Sequence, residues 1–253
     1  MSRFPDLPRL DCHAHVAPDV TAEQVRRLGD AVVFAVTRTL DEGYAALRRR
    51  DERLIWGWGA HPAVAEGLDA FTVERAAALA RRLPLVGEVG LDRRGPGDRQ
   101  QEVFAAALHA AQDQPVLISV HSTGRTAAVL ESIRTCPHQG IVLHWFLGTP
   151  KEITEAANAG CYFSVNAAMP AEKLSRIPPE RMLPETDFPA SRRRQGGQMP
   201  GDTEAVEEMV AQCMGSSPEE VRWMFWANLR KISVLTGAID RYPDFVSDIL
   251  LSI

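Results

Sequence analysis

The chain has 253 residues, of which 45% are hydrophobic and 24% charged, with a formal net charge of −5. That length buries a sizeable core without requiring a second domain, and the composition is that of a soluble globular protein rather than a disordered or fibrous one. The acidic balance excludes a globally basic, polyanion-coating protein, so any contact with nucleic acid has to rest on local basic clusters or on bound metal. No run approaches the roughly 20 apolar residues of a membrane span. The opening MSRFPDLPRL carries no apolar leader segment. Cys12, Cys136, Cys161 and Cys213 form no CxxC pair or regular framework, which points to reduced thiols and a cytoplasmic location.

In chain order, β-prone apolar runs alternate with segments of helical spacing. Strands are expected near residues 10–13, 31–36, 54–59, 85–89, 116–120, 141–144, 162–165 and 182–183. The clearest helix covers 98–112, where Val103, Phe104, Ala107, Leu108 and Ala111 fall on one face. Similar spacing predicts helices over 72–82, 125–134 and 151–159, with Gly160 at a C-cap position. The polar stretch 191–201 reads as a mobile loop, and two terminal helices follow near 203–214 and 218–235. Eight strands spaced by about 30 residues fit a single α/β domain over 1–253, a (β/α)8 TIM barrel of about 250 residues. There is no internal repeat or interdomain linker.

Metal-ligand residue types recur at the ends of these runs: His13 and His15 in LDCHAH, His61 in WGAHP, Glu88 in LVGEVGLD, His121 in LISVH, His144 in IVLH and Asp187 in LPETDFP. A parallel barrel points the C-terminal ends of all its strands at one mouth, so these groups are expected to converge there. Imidazoles and carboxylates so gathered are the donor set of a hydrolytic divalent-metal site. His13 and His15, two apart on a strand, share a face. A carboxylate between two histidine pairs suits a bridge between two ions, which in two-metal hydrolases lie roughly 3.5–4 Å apart. His109 falls within an amphipathic helix and His138 within a Pro-containing loop, so neither joins this set.

The motifs HAH, GAHP, GEVGLD, VH, LHWFLG and ETDFP, in this order and spacing, resemble those of the TatD family of metal-dependent hydrolases, relatives of the amidohydrolase superfamily. The likeness runs from about Leu10 to Asn228. It implies that His13 and His15, with Glu88 and Asp187, hold one ion, while Glu88, His121 and His144 hold a second. Asp187 would also orient or deprotonate the attacking water, His61 would face the substrate phosphate, and Asp92 would fix a ligand from behind. The metals would be two divalent ions, Mg, Mn or Zn.

Two basic clusters bear on the substrate. Arg93 and Arg94 follow GLD, and Arg192, Arg193 and Arg194 follow ETDFPAS; both runs are placed to rim the mouth and bind phosphate. Trp145 and Phe146, directly after His144, offer a stacking surface for a base, with core packing as the competing role. Many relatives place an Arg two residues after the fifth-strand histidine, whereas this chain has His-Ser-Thr, with Arg125 two positions further on. The stretches HWFLG, GCYFSVNAAM and SVHSTGRTAAVL look most like the TatD-type nuclease of Qat anti-phage operons.

The resemblance therefore implies a phosphodiesterase, foremost a deoxyribonuclease acting on single strands or 3′ ends, with DNA as substrate and defence-system proteins as possible partners. Two alternatives keep the same site: an ester or amide hydrolase such as an aminoacyl-tRNA deacylase, and a defence-complex subunit with latent nuclease activity.

Overall fold

In the computed structural model, which describes residues 6–190 and 197–253, the apolar runs form eight strands. Taken in chain order, β1 is Leu10–His15, followed by α1 (Ala22–Arg26), β2 (Val32–Val36), α2 (Leu40–Ala46), β3 (Leu54–Trp58), α3 (Ala65–Asp69) and α4 (Val73–Ala80). Then come β4 (Leu85–Gly90), α5 (Gly97–Ala111), β5 (Leu117–His121), α6 (Thr126–Thr135), β6 (Ile141–His144), α7 (Pro150–Asn158) and β7 (Tyr162–Val165). The chain ends with α8 (Ala171–Leu174), β8 (Met182–Pro184), α9 (Glu204–Met214), α10 (Pro218–Thr236) and α11 (Asp244–Ser252).

The strands pair in parallel and in sequential order from β1 to β8. Nearly every strand residue is buried, because helices cover the outer face and neighbouring strands fill the interior; this is why the strands read as continuous apolar runs. Local signals start and stop the helices between them. Thr149 and Ser217 form capping boxes with Glu152 and Glu220, each followed by a proline in the first turn of α7 and α10. Phe225, Trp226, Leu229 and Ile232 on α10 are buried, and the Trp226 indole donates to the Pro8 carbonyl at 2.8 Å. No helix of the described residues is long and apolar enough to cross a membrane.

Three features differ from the sequence expectations. A third terminal helix, α11, follows the two expected ones, and short helices α1, α2, α3 and α8 occupy connections that carry too few turns to show periodicity. Strand β1 runs two residues further than expected, to His15. The expected loop over 191–201 lies partly outside the described residues.

Closure of the barrel is polar. Beyond the end of β8, the Asp187 N–H donates to the His13 carbonyl and the His15 N–H donates to the Phe188 carbonyl, both at 2.9 Å. Below this seam, Asp11 is fully buried and its carboxylate accepts from four donors: the His13 N–H at 3.2 Å, the Thr186 N–H at 3.0 Å, the Thr186 hydroxyl at 2.6 Å and the Gly201 N–H at 2.8 Å. Burial pushes its pKa up to about 6, partly offset by these bonds. An Asp11→Asn change puts an amide NH2 against one pair of donors. It is expected to cost about 1–3 kcal/mol, the penalty of a buried unsatisfied polar group. At about 2–4 °C per kcal/mol for a domain of this size, thermal denaturation should show a fall of several degrees. An unchanged melting temperature would remove Asp11 from the seam's energetics.

Candidate metal centre

Two glycines let Glu88 reach the centre of the mouth. A Cβ on Gly59 would stand 2.4 Å from both the Glu88 nitrogen and the Thr37 oxygen, and one on Gly90, which has φ +140, would stand 2.1 Å from the His121 oxygen. Only glycine permits backbones to approach so closely. The pairing of β4 with β5 shifts between Val86 and Val89, so the Glu88 segment turns to neighbours following β2 and β3 instead. Its N–H donates to the Thr37 carbonyl at 2.8 Å and its carbonyl accepts from Ala60 at 3.0 Å.

Around the buried Glu88 carboxylate stand five imidazoles. His121 Nδ1 is 2.5 Å and His144 Nε2 2.9 Å from Oε1; His15 Nε2 is 3.0 Å, His61 Nε2 3.3 Å and His13 Nε2 3.6 Å from Oε2. Asp187 Oδ1 lies 3.7 Å from Nε2 of both His13 and His15. Asp187 itself has φ +46, and Trp145, directly after His144, has φ +40; non-glycine residues in this strained region concentrate where a site over-determines the backbone.

The electrostatics follow from burial and crowding. Burial, aided by the stacked His144 ring 4.0 Å away, pushes His13 down to about 4. His61 is likewise pushed down to about 4 by burial. Neutral imidazole is the metal-binding form. Burial opposes ionisation of Glu88, yet His61, His144 and His121 outweigh it and hold the carboxylate well below its usual range. Asp187 is pushed up to about 7, chiefly by burial, with Glu185 and Glu88 adding to the effect.

Among the described residues, three sets of donor atoms lie close enough to hold an ion: His13, His15 and Glu88; His13, His144 and Asp187; and His61, Glu88 and His121. The donors fit a divalent cation. Glu88 Oε2 and His13 Nε2 are buried with no hydrogen-bond partner, a costly arrangement for a carboxylate unless a positive charge lies against it. The sets divide the ligands differently from the sequence expectation, placing His144 beside His13 and Asp187 and bringing His61 beside His121. His61 nevertheless differs from the others. Its Nδ1 accepts the Ala63 N–H at 3.0 Å, so the neutral ring carries its proton on Nε2, the atom facing the site. A nitrogen carrying a proton donates to an anion rather than to a metal.

Residues behind the ligands fix their tautomers, as second layers around metal sites commonly do. His121 Nε2 donates to Asp92 Oδ2 at 2.9 Å, and His13 Nδ1 lies 2.7 Å from the Ser119 hydroxyl. His144 Nδ1 faces Glu185 Oε2 at 3.7 Å, and Glu185 in turn accepts from the Ser164 hydroxyl and, at 2.9 Å, from the Asn166 amide. Ser119, Ser164, Asn166, Glu185 and Asp11 are absent from the sequence reading. Strand alternation carried a signal for two of them, since Asp11 precedes His13 by two residues and Glu185 precedes Asp187 by two.

The arginines separate. Arg94, expected to contact phosphate, is instead paired with Asp92, its Nη2 2.6 Å from Oδ2 and its Nε 2.9 Å from Oδ1. The carboxylate two residues back is the nearest anion, so the guanidinium braces His121 through Asp92. Arg93 is exposed and lies against Gly124 of the β5–α6 loop. Arg192, Arg193 and Arg194 lie outside the described residues. Phe146 is fully buried and packs 5.6 Å from Phe163, so it offers no stacking surface; Trp145 is half-buried.

Comparison with known proteins gives the family and the fold. A family model described as TatD related DNase matches residues 10–233. The 3′-5′ ssDNA/RNA exonuclease TatD of Citrobacter rodentium is 28% identical over 206 residues, covering 70% of this chain and 76% of that protein. Human deoxyribonuclease TATDN3 is 28% identical over 153 residues, 55% of this chain and 56% of that protein. The chain spans about half the length of several curated relatives it matches, 46–56% for three of them. Among solved structures, the TatD homologue YJJV of Escherichia coli K12 superposes with a TM-score of 0.75 at 19% identity, covering 88% of this chain and 97% of that one, and shares the fold. With the family model spanning all eight strands and every ligand candidate, the chain belongs to the TatD family of metal-dependent hydrolases.

Proposed function

We propose that this protein is a divalent-metal-dependent phosphodiesterase that degrades DNA, foremost single strands or 3′ ends. The observation that carries the reading is one buried carboxylate, Glu88, with five imidazole nitrogens within 3.6 Å at the mouth of a TatD-family barrel. The names of the Citrobacter and human relatives, an exonuclease and a deoxyribonuclease, support a nucleic-acid substrate.

In this reading His13, His15, Glu88, His121, His144 and Asp187 would hold the divalent metal. A bound divalent ion supplies Lewis-acid polarisation of the phosphoryl group and acidifies the attacking water. The chain's own residues do the rest. Asp187 takes the proton from that water, because its carboxylate faces the mouth and burial favours its protonated form. His61 donates a hydrogen bond from Nε2–H to a phosphoryl oxygen. Arg93 pairs with a neighbouring phosphate of the strand. Ser119 and Asp92 hold His13 and His121 so that their ligand nitrogens stay turned inward, and the Glu185 carboxylate stands 3.7 Å behind His144.

The test is degradation of end-labelled single- and double-stranded DNA by purified protein with Mg²⁺, Mn²⁺ or Zn²⁺, beside a His13→Ala/His15→Ala double variant and an aminoacyl ester substrate. Metal-dependent cleavage of DNA that the double variant loses is the expected result. Ester hydrolysis with no DNA cleavage would overturn it.

A further inference from the structure

Beside the metal centre lies a second cavity, of about 390 Å³, walled by Val16, Val20, Leu28, Phe188 and Met199. Its size falls within the roughly 300–1,000 Å³ of small-molecule pockets. His15 borders both spaces, and Phe188 directly follows Asp187 with its carbonyl bound to the His15 N–H. A group attached to a phosphate at the centre therefore has this cavity as its neighbour.

We propose that the cavity is a nucleobase subsite, holding the base of a nucleotide that flanks the scissile phosphate; the inference rests on the nuclease reading of the adjoining centre. The chemistry of the wall selects the occupant. A nucleic-acid strand is phosphate and oxygen-rich sugar except at its bases, so the base is its one group suited to an aliphatic, thioether and aromatic surface. Two polar side chains at the rim have partners on their own helix, while the Asp19 carboxylate stands exposed at the same rim. Gln24 Oε1 accepts from the Thr21 N–H at 2.9 Å and the Thr21 hydroxyl at 3.1 Å, and Arg27 faces Glu23 at 3.4 Å. With a wall of aliphatic, thioether and aromatic side chains, the subsite grips the face of a base rather than its hydrogen-bonding edge. It therefore favours having a base over lacking one and tolerates any of the four.

The test uses metal-loaded protein and single-stranded oligothymidylates, intact or with one abasic residue at the terminal or penultimate position of either end. Wild type should show kcat/KM about 10- to 100-fold higher on the intact strand than on one of the abasic strands, the range that base–aromatic contacts supply. Ala17→Trp places an indole in the cavity from its exposed edge, and Gln24→Trp does so from α1. Either change should bring the intact-to-abasic ratio close to one. The ratio is internal to each protein, so a general loss of activity does not imitate it, and thermal denaturation checks that each variant is folded. Equal rates on intact and abasic strands in wild type would overturn the subsite alone, as would ratios that both variants leave unchanged. Failure to cleave any of the strands with any metal would remove the nuclease reading and the subsite with it.

Discussion

Replacing Glu88 by Gln should abolish tight binding of divalent metal and lower DNA cleavage by at least about a thousandfold, the several kcal/mol of charge stabilisation that a held ion supplies. The reason is local. Glu88 lies within 3.6 Å of all five imidazoles at the mouth and belongs to two of the three donor sets found among the described residues. Gln keeps the shape but removes the negative charge that a held cation requires. Metal content by atomic spectroscopy and calorimetric titration with Mn²⁺ would report the binding loss. Circular dichroism should stay that of the parent, because the strand pairing around residue 88 is made by backbone groups. Metal affinity and activity both within tenfold of wild type would take Glu88 out of the centre.

Asp187→Asn should lower kcat by about 10²- to 10⁴-fold, the usual contribution of a positioned acid–base group, while KM moves little. Asn is also the substitution most compatible with φ +46 at this position, since it tolerates the left-handed region as Asp does. The two backbone bonds of the seam need no carboxylate, so the fold should persist. The pH dependence of stability gives a second readout in protein stripped of metal. Burial raises the Asp187 pKa to about 7, so the folded state binds this proton more tightly than the unfolded chain. Its contribution to stability is present at acid pH and lost as pH rises through about 7. The Asn variant lacks that loss, and relative to wild type it should gain stability as pH rises from about 4 to about 7. A variant with wild-type kcat would sink the proton-acceptor role, and parallel stability–pH curves would sink the burial argument.

Much of this was open to inspection one segment at a time. The eight strands are short apolar runs bounded by turns, and each ligand candidate sits at the end of such a run, because the barrel places chemistry where strands meet loops. The longer helices, α5 and α10 among them, showed their apolar faces over several turns. The helices that went unseen are short: α1 and α3 have five residues each and α8 has four. Such lengths hold too few positions for a period to emerge. α11 was not expected, although Phe245, Val246, Ile249 and Leu250 recur at helical spacing and pack on the core.

Within the site, the division between local and long-range information is sharper. Residue identity and strand position determined by themselves that His13, His15, His61, Glu88, His121, His144 and Asp187 would meet, since a closed parallel sheet sends every strand end to one mouth. They could not determine which atom of each ring faces inward. That was decided by partners 2 to 106 residues away: Ala63 for His61, Asp92 for His121, Ser119 for His13. The same holds for Arg94, whose sequence position suggested a phosphate contact and whose guanidinium is bound to Asp92. A pattern of residue types specifies which strand end a side chain occupies. Its hydrogen-bond partner depends on barrel closure, through the seam at Asp11, Thr186 and Asp187, and closure is a property of the whole chain.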